Sequence, residues 1–597
     1  MIFGKHINRY YLKYSWILLI GIAALVLVDY FQLEVPELYR MVINGMNTGF
    51  VETSSGTVPF DINFLLDEIC LPLVIIILVM VTGRFLWRIC FFGSAIKVET
   101  DLRNRMFDRC KDLSHQYYQV NKVGNMMSLF TNDLETVQDC FGSGILMLCD
   151  AAFLGALTVF KMWNMDWQLT LLSLIPMVLL LVGGAIVAKY MMMKWEERQA
   201  VFSDLSDFSQ ESFSGIAVIK AFVKEAAELL AFRKLNKKNE KVNVEYTRIS
   251  TLLTIVVTLL VESVVCIILG YGGYLVYLGT FDAGQLVEYI GYFTAMVWPV
   301  MAVSQLIEMT SRGKASLNRI SELLNAKQDV IDRAGVEEVN DIKGKIEFRH
   351  LTFRYPDGEF DVLKDVSFTI EAGENVGLVG KTGSGKTTIV DLILRTYNVP
   401  DGTIFIDGHD VNDISIRCVR GAAAYVPQDN FLFSDTIENN IAFAYDGAGG
   451  AEEEEAAEEA AKLAAVHDNI MGFKEKYATV LGERGVTVSG GQKQRISIAR
   501  ALMKNAKILI LDDSVSAVDT KTEQAIMSNL AAARAGLTTI LIAHRISTVE
   551  NMDKIIFVDD GRIVAVGKHE ELYASCPDYR KMVDLQKLEA EGGEHNA

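Results

Sequence analysis

The segment Gly380–Thr387 reads GKTGSGKT and directly follows the apolar run NVGLV, which is typical of a buried strand. Glycine at three of its eight positions lets successive backbone N–H groups turn inward around an anion. Lys386 and Thr387 stand where a helix is expected to begin, and the first turn of a helix adds unpaired amides of its own. Strand, glycine-rich loop and helix start in this order predict a phosphate loop. This part of the chain is therefore expected to bind a nucleotide within an α/β fold.

Every residue of this phosphate loop is a candidate for nucleotide binding. Lys386 is expected to pair with the terminal phosphates, and Thr387 is expected to ligate Mg²⁺ through its hydroxyl. The later apolar run ILIL delivers Asp512, whose carboxylate is expected to help hold Mg²⁺. The nucleotide-binding candidates here are Gly380, Lys381, Thr382, Gly383, Ser384, Gly385, Lys386, Thr387 and Thr388.

A second glycine-rich helix start lies between these two motifs. The segment VSGGQKQRISIAR begins at Val488. Ser489, Gly490 and Gly491 open a predicted helix whose first amides point outward. With Gln492 they form a second phosphate-binding element, which would be redundant on the nucleotide of the phosphate loop. Its better use is on a nucleotide held by another copy of the domain, so a dimer is expected.

Long apolar runs are concentrated in the first 310 residues of the 597-residue chain, and the remainder has the composition of a soluble α/β protein. A helix that crosses the hydrocarbon core of a bilayer needs about 20 mostly apolar residues. Six runs meet this length, so an all-α domain with six membrane-spanning helices is expected. The expected spans are residues 16–35, 69–92, 142–163, 167–187, 252–278 and 283–307.

Lysine and arginine are distributed unevenly between the loops that join these spans. The loop between the second and third spans carries six of them and the loop between the fourth and fifth carries eleven, whereas the three opposite loops carry only Arg40. The positive-inside rule then places both termini and the two long loops in the cytoplasm. Because these loops have heptad-like, charged sequences, the membrane helices are expected to continue well beyond the bilayer.

The chain is expected to divide where the hydropathy pattern changes. From Lys345 the alternation of apolar and polar residues in KIEFRHLTFRY predicts strands. The predicted organisation is a transmembrane domain over residues 1–310, a linker over 311–344, an ATP-binding domain over 345–585 and a flexible tail over 586–597.

Composition argues against several other classes of protein. The net charge is −18, and without a basic stripe a nucleic-acid partner is not expected. The acidic run AEEEEAAEEAAK at Ala451–Lys462 contributes to this charge and predicts a helix with a solvated face. The eight cysteines include no CxxC pair, so neither a disulfide framework nor a metal site is expected from them.

Ionisable residues also occur inside the expected spans, where charged groups are costly and often functional. They are Asp29, Arg84, Arg88, Glu262 and Glu288. Asp29 and Glu262 could face a central cavity and attract cationic substrates, or they could pair with neighbouring helices, hydrate a pore wall or snorkel to an interface. Trp298 has methionines on either side. It could line an adaptable surface that binds substrate, or it could take part in ordinary helix packing.

These motifs, in this order, resemble those of the ABC transporters, in particular the exporters that fuse six membrane helices to one nucleotide-binding domain. The resemblance covers essentially the whole chain. It implies a type IV exporter fold, in which an all-α transmembrane domain with six long helices extending into the cytoplasm is joined to an α/β P-loop NTPase domain with a helical subdomain. It also implies ATP and Mg²⁺ as cofactors and outward movement of substrate.

Several shorter motifs acquire roles from this resemblance. Tyr355, in FRYPD, matches the aromatic residue that stacks on adenine, and Gln428, in YVPQD, matches the glutamine that senses Mg²⁺. His544, in IAHR, matches the switch histidine that contacts the γ-phosphate. Ser489–Gln492 match the signature segment, and Ser516–Asp519, here called the crossing segment, match residues that cross the dimer interface.

The membrane half carries two further resemblances. The segment KVGNMMSLFTNDLETV from Lys122 and the segment ESFSGIAVIKAFVKE from Glu211 are similar to the two coupling segments of the family. In the family these segments transmit closure of the ATP-bound dimer to the membrane helices.

The residue after Asp512 separates two interpretations of the chain. Many ATPases of this type carry a glutamate there that handles water, whereas this sequence has Asp513, whose side chain is one methylene shorter. Withdrawing the acid by about one bond length predicts a site that binds MgATP and splits it poorly. The segment LDDSVSAVD most resembles the degenerate half of bacterial heterodimeric multidrug exporters, which implies a partner half with a catalytic glutamate. The catalytic candidates are Asp513, His544 and Gln428, and the metal candidates are Thr387, Gln428 and Asp512.

The leading hypothesis is export of amphipathic or hydrophobic compounds by one half of a heterodimer in a bacterial cytoplasmic membrane. Drugs, lipids and apolar peptides all suit its apolar spans. A homodimeric lipid or peptide exporter that hydrolyses ATP slowly with Asp513 is one alternative, and an ATP-gated channel or regulatory subunit is another. The intact signature segment, Gln428 and His544 argue against the channel.

Overall fold

The computed structural model describes residues 4–53, 56–339, 341–445, 450–485 and 487–594, and the chain divides into two units. The first unit comprises the residues up to Lys111 together with Lys122–Ala326. The second comprises Asp112–Asn121 together with the residues from Lys327 onward. The first unit is helical and the second has an α/β fold, so the predicted fold class is confirmed.

The first unit is built from long helices. A short helix, α1 (Asn8–Lys13), precedes α2 (Ser15–Thr48), which ends at Gly49 in a left-handed conformation with φ of 76°. A hairpin of β1 (Phe50–Thr53) and β2 (Gly56–Pro59) follows, and the all-α expectation did not include it. The helices that follow along the chain are α3 (Ile62–Phe64), α4 (Leu71–Asp112), α5 (His115–Val120), α6 (Val123–Ser128), α7 (Leu134–Met165), α8 (Trp167–Ser214), α9 (Ile216–Ala221), α10 (Glu225–Ile267), α11 (Gly273–Tyr277) and α12 (Ala283–Asn325).

Five helical stretches are long and apolar enough to cross a membrane. Short π-helical turns join α3 to α4, α6 to α7 and α10 to α11 within three of them. The sixth predicted span lies in α8, whose apolar part at Trp167–Leu179 is shorter over the described residues. Side chains 180–182 and 184–189 of α8 lie outside the described part of the chain, so this span stays a prediction. The five stretches are Ser15–Thr48, Ile62–Asp112, Val123–Met165, Glu225–Tyr277 and Ala283–Asn325.

Side-chain caps determine where several of these helices begin. At the start of α12 the carboxylate of Asp282 accepts a hydrogen bond from the backbone N–H of Gln285 at 2.6 Å, and the Gln285 side chain accepts one from the backbone N–H of Asp282 at 2.9 Å. This reciprocal pair satisfies two amides that the helix leaves unpaired. The helix then continues to Asn325, so the first part of the expected linker at 311–344 is helical.

The division into units cuts the long loop between α4 and α7. The segment from Lys122, which resembles a coupling segment, belongs to the first unit, whereas Asp112–Asn121 just before it belongs to the second. Within the second unit the hydroxyl of Tyr397 donates to Oε1 of Gln119, a residue of α5, at 2.7 Å. The role of the segment from Lys122 as a coupling segment stays a prediction.

The second unit contains two sheets. The larger has the strand order β12-β11-β5-β10-β9-β8, and the smaller has the order β4-β3-β6-β7. Strands β9 and β10 are buried along their whole length, which explains their almost uninterrupted apolar sequences. The strands are β3 (Ile346–Phe353), β4 (Leu363–Ile370), β5 (Asn375–Val379), β6 (Ile404–Ile406), β7 (His409–Asp410), β8 (Ala423–Val426), β9 (Ile508–Asp512), β10 (Thr538–Ile542), β11 (Lys554–Asp559) and β12 (Arg562–Gly567).

Helices cover the larger sheet and form a subdomain between β8 and β9. The acidic run forms α16, whose alanines Ala457 and Ala461 are buried in the core while most of its glutamates are exposed, as expected for a solvated helix face. The last helix continues to Glu594, into the stretch expected to be a tail, and residues 595–597 lie outside the described residues. The helices are α13 (Lys386–Ile393), α14 (Ile416–Ala422), α15 (Ile437–Ala442), α16 (Ala451–Leu463), α17 (His467–Met471), α18 (Gly490–Met503), α19 (Thr520–Ala533), α20 (Ile546–Val549), α21 (His569–Ser575) and α22 (Pro577–Glu594).

Candidate functional site

Four parallel strands bring the predicted nucleotide-site residues to one edge of the larger sheet. Strands β5, β10, β9 and β8 are neighbours in this order, and each pair is parallel. The phosphate loop follows β5, His544 follows β10, Asp513 follows β9 and Gln428 follows β8. Because the carboxyl ends of parallel strands lie at the same edge of a sheet, these positions form a row. Sheet topology therefore assembles motifs that are far apart in sequence.

Three glycines give the phosphate loop its shape. Gly383 and Gly385 have φ of 81° and 99°, a left-handed region in which a side chain is strained. A Cβ at Gly380 would come within 2.0 Å of the carbonyl oxygen of Val558, so no side chain fits there. The glycine spacing in the sequence thus reflects both backbone conformation and close packing.

Lys386 is the first residue of α13, and its side chain turns back onto the phosphate loop. Its Nζ donates hydrogen bonds to the carbonyl oxygens of Gly380 and Lys381, both at 2.9 Å. Burial lowers the pKa of Lys386, and the nearby carboxylates of Asp512 and Asp513 act in the opposite direction. Both hydrogen-bond acceptors are neutral, so the ammonium group is placed to add an anionic partner such as a phosphate oxygen.

Asp512 is the last residue of β9 and is only 2% exposed. The side chains of Thr387 and Tyr425 interact with its carboxylate, while its Oδ2 has no hydrogen-bond partner among the described residues. Burial raises the pKa of Asp512, and burial with the Asp512 charge raises the pKa of Asp391 to about 6. A buried carboxylate oxygen without a partner, beside a hydroxyl, suits a hard divalent cation. The donor set fits Mg²⁺.

The main chain of Asp513 is held in place by three hydrogen bonds. Its N–H donates to the carbonyl oxygen of Ile542 at 3.0 Å, and its carbonyl oxygen accepts from Ser516 Oγ at 2.9 Å and from Gln494 Nε2 at 3.5 Å. The residue has φ of 47°, a left-handed conformation that aspartate adopts more readily than most residues. With the main chain held by these hydrogen bonds, the reach of the carboxylate depends on the length of its side chain.

Tyr355 is a partly exposed ring fixed beside the phosphate loop. It makes edge-to-face contacts with Phe353 and Tyr397, with ring centroids 5.2 and 5.0 Å apart. Its hydroxyl forms a hydrogen bond with Oγ1 of Thr388, in the first turn of α13, at 2.8 Å. A rigid ring with one accessible face next to a phosphate site is suited to stacking on a base.

Gln428 and His544 are both exposed at this edge of the sheet. The main chain around His544 is held by Gln586, a residue of α22. The Gln586 side chain donates to the carbonyl oxygen of His544 at 2.7 Å and accepts from the N–H of Ile546 at 2.9 Å. Sequence analysis missed Gln586 because it assigned this stretch to a tail, and one glutamine in a charged helix gives no signal of such a contact.

The signature segment forms the start of α18, with Ser489 as its cap. Ser489 Oγ accepts from the N–H of Gln492 at 3.3 Å, and Gln492 Oε1 accepts from the N–H of Ser489 at 2.9 Å. The side chain of Gln492 thus orders the helix start in this chain. A Cβ at Gly490 would meet nothing within 4 Å, so the helix start faces open space on that side. Its role on a nucleotide held by another chain stays a prediction.

The crossing segment packs directly against the signature segment. A Cβ at Gly491 would come 2.9 Å from the carbonyl oxygen of Ala517, which explains the glycine. Gln494, which is 7% exposed, accepts a hydrogen bond from the N–H of Ala517 at 3.0 Å and also donates to the carbonyl oxygen of Asp513. Sequence analysis missed Gln494, although it lies one helical turn after Gly490. This one side chain joins the signature helix, the crossing segment and the candidate catalytic acid.

Comparisons with known proteins match both halves of the chain to ABC transporters. Residues 16–300 match the family model of the ABC transporter transmembrane region, and residues 363–516 match that of the ABC transporter domain. The chain is 36% identical, over 98% of its length and 97% of the relative, to the probable multidrug resistance ABC transporter ATP-binding/permease protein YheI of Bacillus subtilis. It is 34% identical, over 97% of its length and 96% of the relative, to the multidrug resistance-like ATP-binding protein MdlA of Escherichia coli.

Two further similarities extend this group. The chain is 36% identical to an ATP-dependent lipid A-core flippase of Syntrophus aciditrophicus. This similarity covers 88% of the chain and 86% of the flippase. A solved structure of a bacterial Atm1-family ABC exporter with ATP bound has a TM-score of 0.76 to this chain at 26% identity. That similarity covers 96% of this chain and 99% of the other.

Gly491→Ala is expected to lower the thermal unfolding temperature of the purified chain by several degrees. The new Cβ would press against the carbonyl oxygen of Ala517, and overpacking of this kind costs about 1–3 kcal/mol. Gly490→Ala is the matched control, since its Cβ enters open space and a helix favours alanine over glycine. Differential scanning fluorimetry of both variants makes the measurement. Equal losses of stability would show that the contact with the crossing segment is absent.

Tyr355→Ala is expected to weaken ATP binding to the full-length protein by about 1–3 kcal/mol, the range for a base stacked on an aromatic ring. Tyr355→Trp should keep most of the affinity because it keeps a stacking face. Tyr355→Phe separates the ring from its hydrogen bond to Thr388. Titration with a fluorescent ATP analogue gives the affinities. If the alanine and tryptophan variants bind equally well, the ring does not stack on the base.

Proposed function

The chain belongs to the ABC transporters that fuse a transmembrane region to a nucleotide-binding domain, and we propose that it is one half of a heterodimeric multidrug-type exporter whose own ATP site is degenerate. As a member of this family it is a multi-pass membrane protein that forms dimers, binds ATP and couples ATP hydrolysis to export. The observation that carries the proposal is the short acid Asp513 on a main chain held by three hydrogen bonds. The P-loop and signature segment around it are intact.

The geometry at Asp513 limits catalysis at this chain's own site. A carboxylate that polarises the attacking water must lie within about 2.6–3.2 Å of it. Aspartate ends one bond earlier than glutamate, and a misplacement of about 1 Å can cost on the order of 100-fold in rate. A shift of the backbone toward the water would have to break main-chain hydrogen bonds with Ile542, Ser516 and Gln494. This site is therefore expected to retain bound ATP and to hydrolyse it slowly.

The same chain is equipped to complete a competent site on a partner. Ser489 caps α18 and Gly490 faces open space, so the first amides of the helix remain accessible to a phosphate group from another chain. We infer that the partner half carries a glutamate after its own strand-end aspartate. In such a dimer the ATP at this chain's phosphate loop holds the halves together, while the partner's ATP turns over.

Binding of Mg²⁺ at this chain's site would use three of the residues at the sheet edge. Thr387 and Asp512 would be direct ligands, since their side chains interact and Asp512 Oδ2 is unpartnered, and the exposed Gln428 would approach from the end of β8. The bound ion would neutralise charge on the terminal phosphates. His544, on the neighbouring strand end, would contact the γ-phosphate side of the nucleotide.

The transported compounds are proposed to be amphipathic or hydrophobic. Two relatives that match nearly the full chain carry names for multidrug resistance, and a third is named as a lipid A-core flippase. The proposed location is a bacterial cytoplasmic membrane. Both termini and the ATP-binding domain are proposed to lie in the cytoplasm, because the positive-inside rule assigns the two loops rich in lysine and arginine to that side.

A homodimeric lipid exporter is the second candidate function. The observation that favours it is the 36% identity to the lipid A-core flippase over 88% of this chain. In that case Asp513 would itself support slow hydrolysis in two equivalent sites. Purifying the chain without a partner separates the two candidates, because only the second yields a stable homodimer whose ATPase activity depends on Asp513.

In the complex isolated with its native partner, Asp513→Asn is expected to change the steady-state ATPase rate little. Ser489→Arg should reduce the rate by about 100-fold or more, since it blocks amides aimed at the partner's reacting phosphate. Ser575→Arg, which alters an exposed serine of α21, is the control for adding an arginine. Phosphate release from ATP gives the rates. A loss with Asp513→Asn as large as that with Ser489→Arg would establish Asp513 as a working catalytic base.

A further inference from the structure

Residues 544–546, which we call the switch segment, leave the larger sheet just after β10. The N–H of Ala543, immediately before them, still donates to the carbonyl oxygen of Leu378 in β5 at 3.4 Å. The imidazole ring of His544 is exposed and makes no hydrogen bond with another side chain of the described residues. The position of this ring therefore depends on what holds the main chain of the switch segment.

The side chain of Gln586 bridges the main chain of the switch segment. It donates to the carbonyl oxygen of His544 at 2.7 Å and accepts from the N–H of Ile546 at 2.9 Å. A carbonyl group and the N–H two residues later are the two groups that one residue of a parallel neighbouring strand engages. The N–H of Ile546 also opens the short helix α20, whose own cap residue, Arg545, makes no side-chain cap hydrogen bond. Gln586 thus pairs main-chain groups that neither the sheet nor the helix pairs.

The helix that carries Gln586 is anchored in the core of the second unit. Tyr579 and Val583 of α22 are 0% and 1% exposed. The hydroxyl of Tyr579 forms a hydrogen bond with Nδ1 of His569 at 2.8 Å. Gln586 lies three residues after Val583, so the two side chains leave the same face of the helix. The bridge to the switch segment therefore starts from a fixed base.

Packing alone does not fix the switch segment, because a cavity of about 420 Å³ lies between it and α22. On another side of the segment, Nη1 of Arg545 donates to Oε2 of Glu523, a buried residue of α19, at 3.1 Å. That ion pair holds the side chain of Arg545 and not the main chain. Among the described residues, Gln586 is the one whose side chain forms hydrogen bonds with the main chain of the segment.

We propose that Gln586 is a positioning residue that holds His544 toward the γ-phosphate and so lets this chain's site distinguish ATP from ADP. This rests on the proposed function, in which ATP at this site holds the two halves together and His544 contacts the γ-phosphate side. Such a site has to distinguish two nucleotides that share the base, the ribose and the first two phosphates. ADP has no γ-phosphate, so its binding gains nothing from the position of the ring.

The bridge uses one donor and one acceptor, and a glutamine side chain supplies both. Gln586→Met keeps the length of the side chain and removes both hydrogen bonds. Gln586→Glu keeps an acceptor for the N–H of Ile546, but its carboxylate has no donor for the carbonyl oxygen of His544 and repels it. Gln524→Met, which makes the same change at an exposed position of α19, is the matched control.

The test is competition of unlabelled ATP and ADP, each with Mg²⁺, against a fluorescent ADP analogue bound to the full-length protein in detergent. Gln586→Met and Gln586→Glu are each expected to weaken ATP binding by about tenfold or more, as for a lost hydrogen bond to a charged group, and to leave ADP binding unchanged. Gln524→Met should bind both nucleotides as the wild-type protein does. Retained ADP binding shows that each variant is folded.

His544→Ala separates positioning of the ring from a general effect on the fold. In that background Gln586→Met should cause no further loss of ATP affinity, because the group that it positions is absent. Equal weakening of ATP and ADP, no change in either, or a further loss in the His544→Ala background would each overturn the proposal. All of these measurements concern the nucleotide of this chain and need no partner. An ATPase-active homodimer, by contrast, would refute the heterodimer and leave the role of Gln586 standing.

Discussion

The parallel pairing of β10 with β5 on one side and with β9 on the other is the interaction on which the nucleotide site depends. Ile542 pairs with Leu378 of β5 and with Asp512 of β9, so three strands end at one level. This alignment places the phosphate loop, Asp512 and His544 side by side. It is made by backbone hydrogen bonds between buried strands, which a change of side chain at the edge leaves intact. The site can therefore lose a catalytic side chain without losing its architecture.

A second constraint is local to this chain and is made by one side chain. Gln494 donates to the carbonyl oxygen of Asp513 and accepts from the N–H of Ala517, so the signature helix is joined to the crossing segment and to the end of β9. The carboxylate of Asp513 takes no part in these hydrogen bonds. A change in the length of this acid therefore leaves both hydrogen bonds in place.

The sequence was most informative where function depends on consecutive residues. The phosphate loop, the strand that ends at Asp512 and the helix start at Ser489 follow from local patterns, and the structure has the expected α/β and helical units. The contacts of Gln494 and Gln586 could not be predicted, because each joins elements that only the fold brings together. Glu288 illustrates the limit: it is an acid in an apolar run, and only the position of Arg40 in the fold shows that it forms an ion pair.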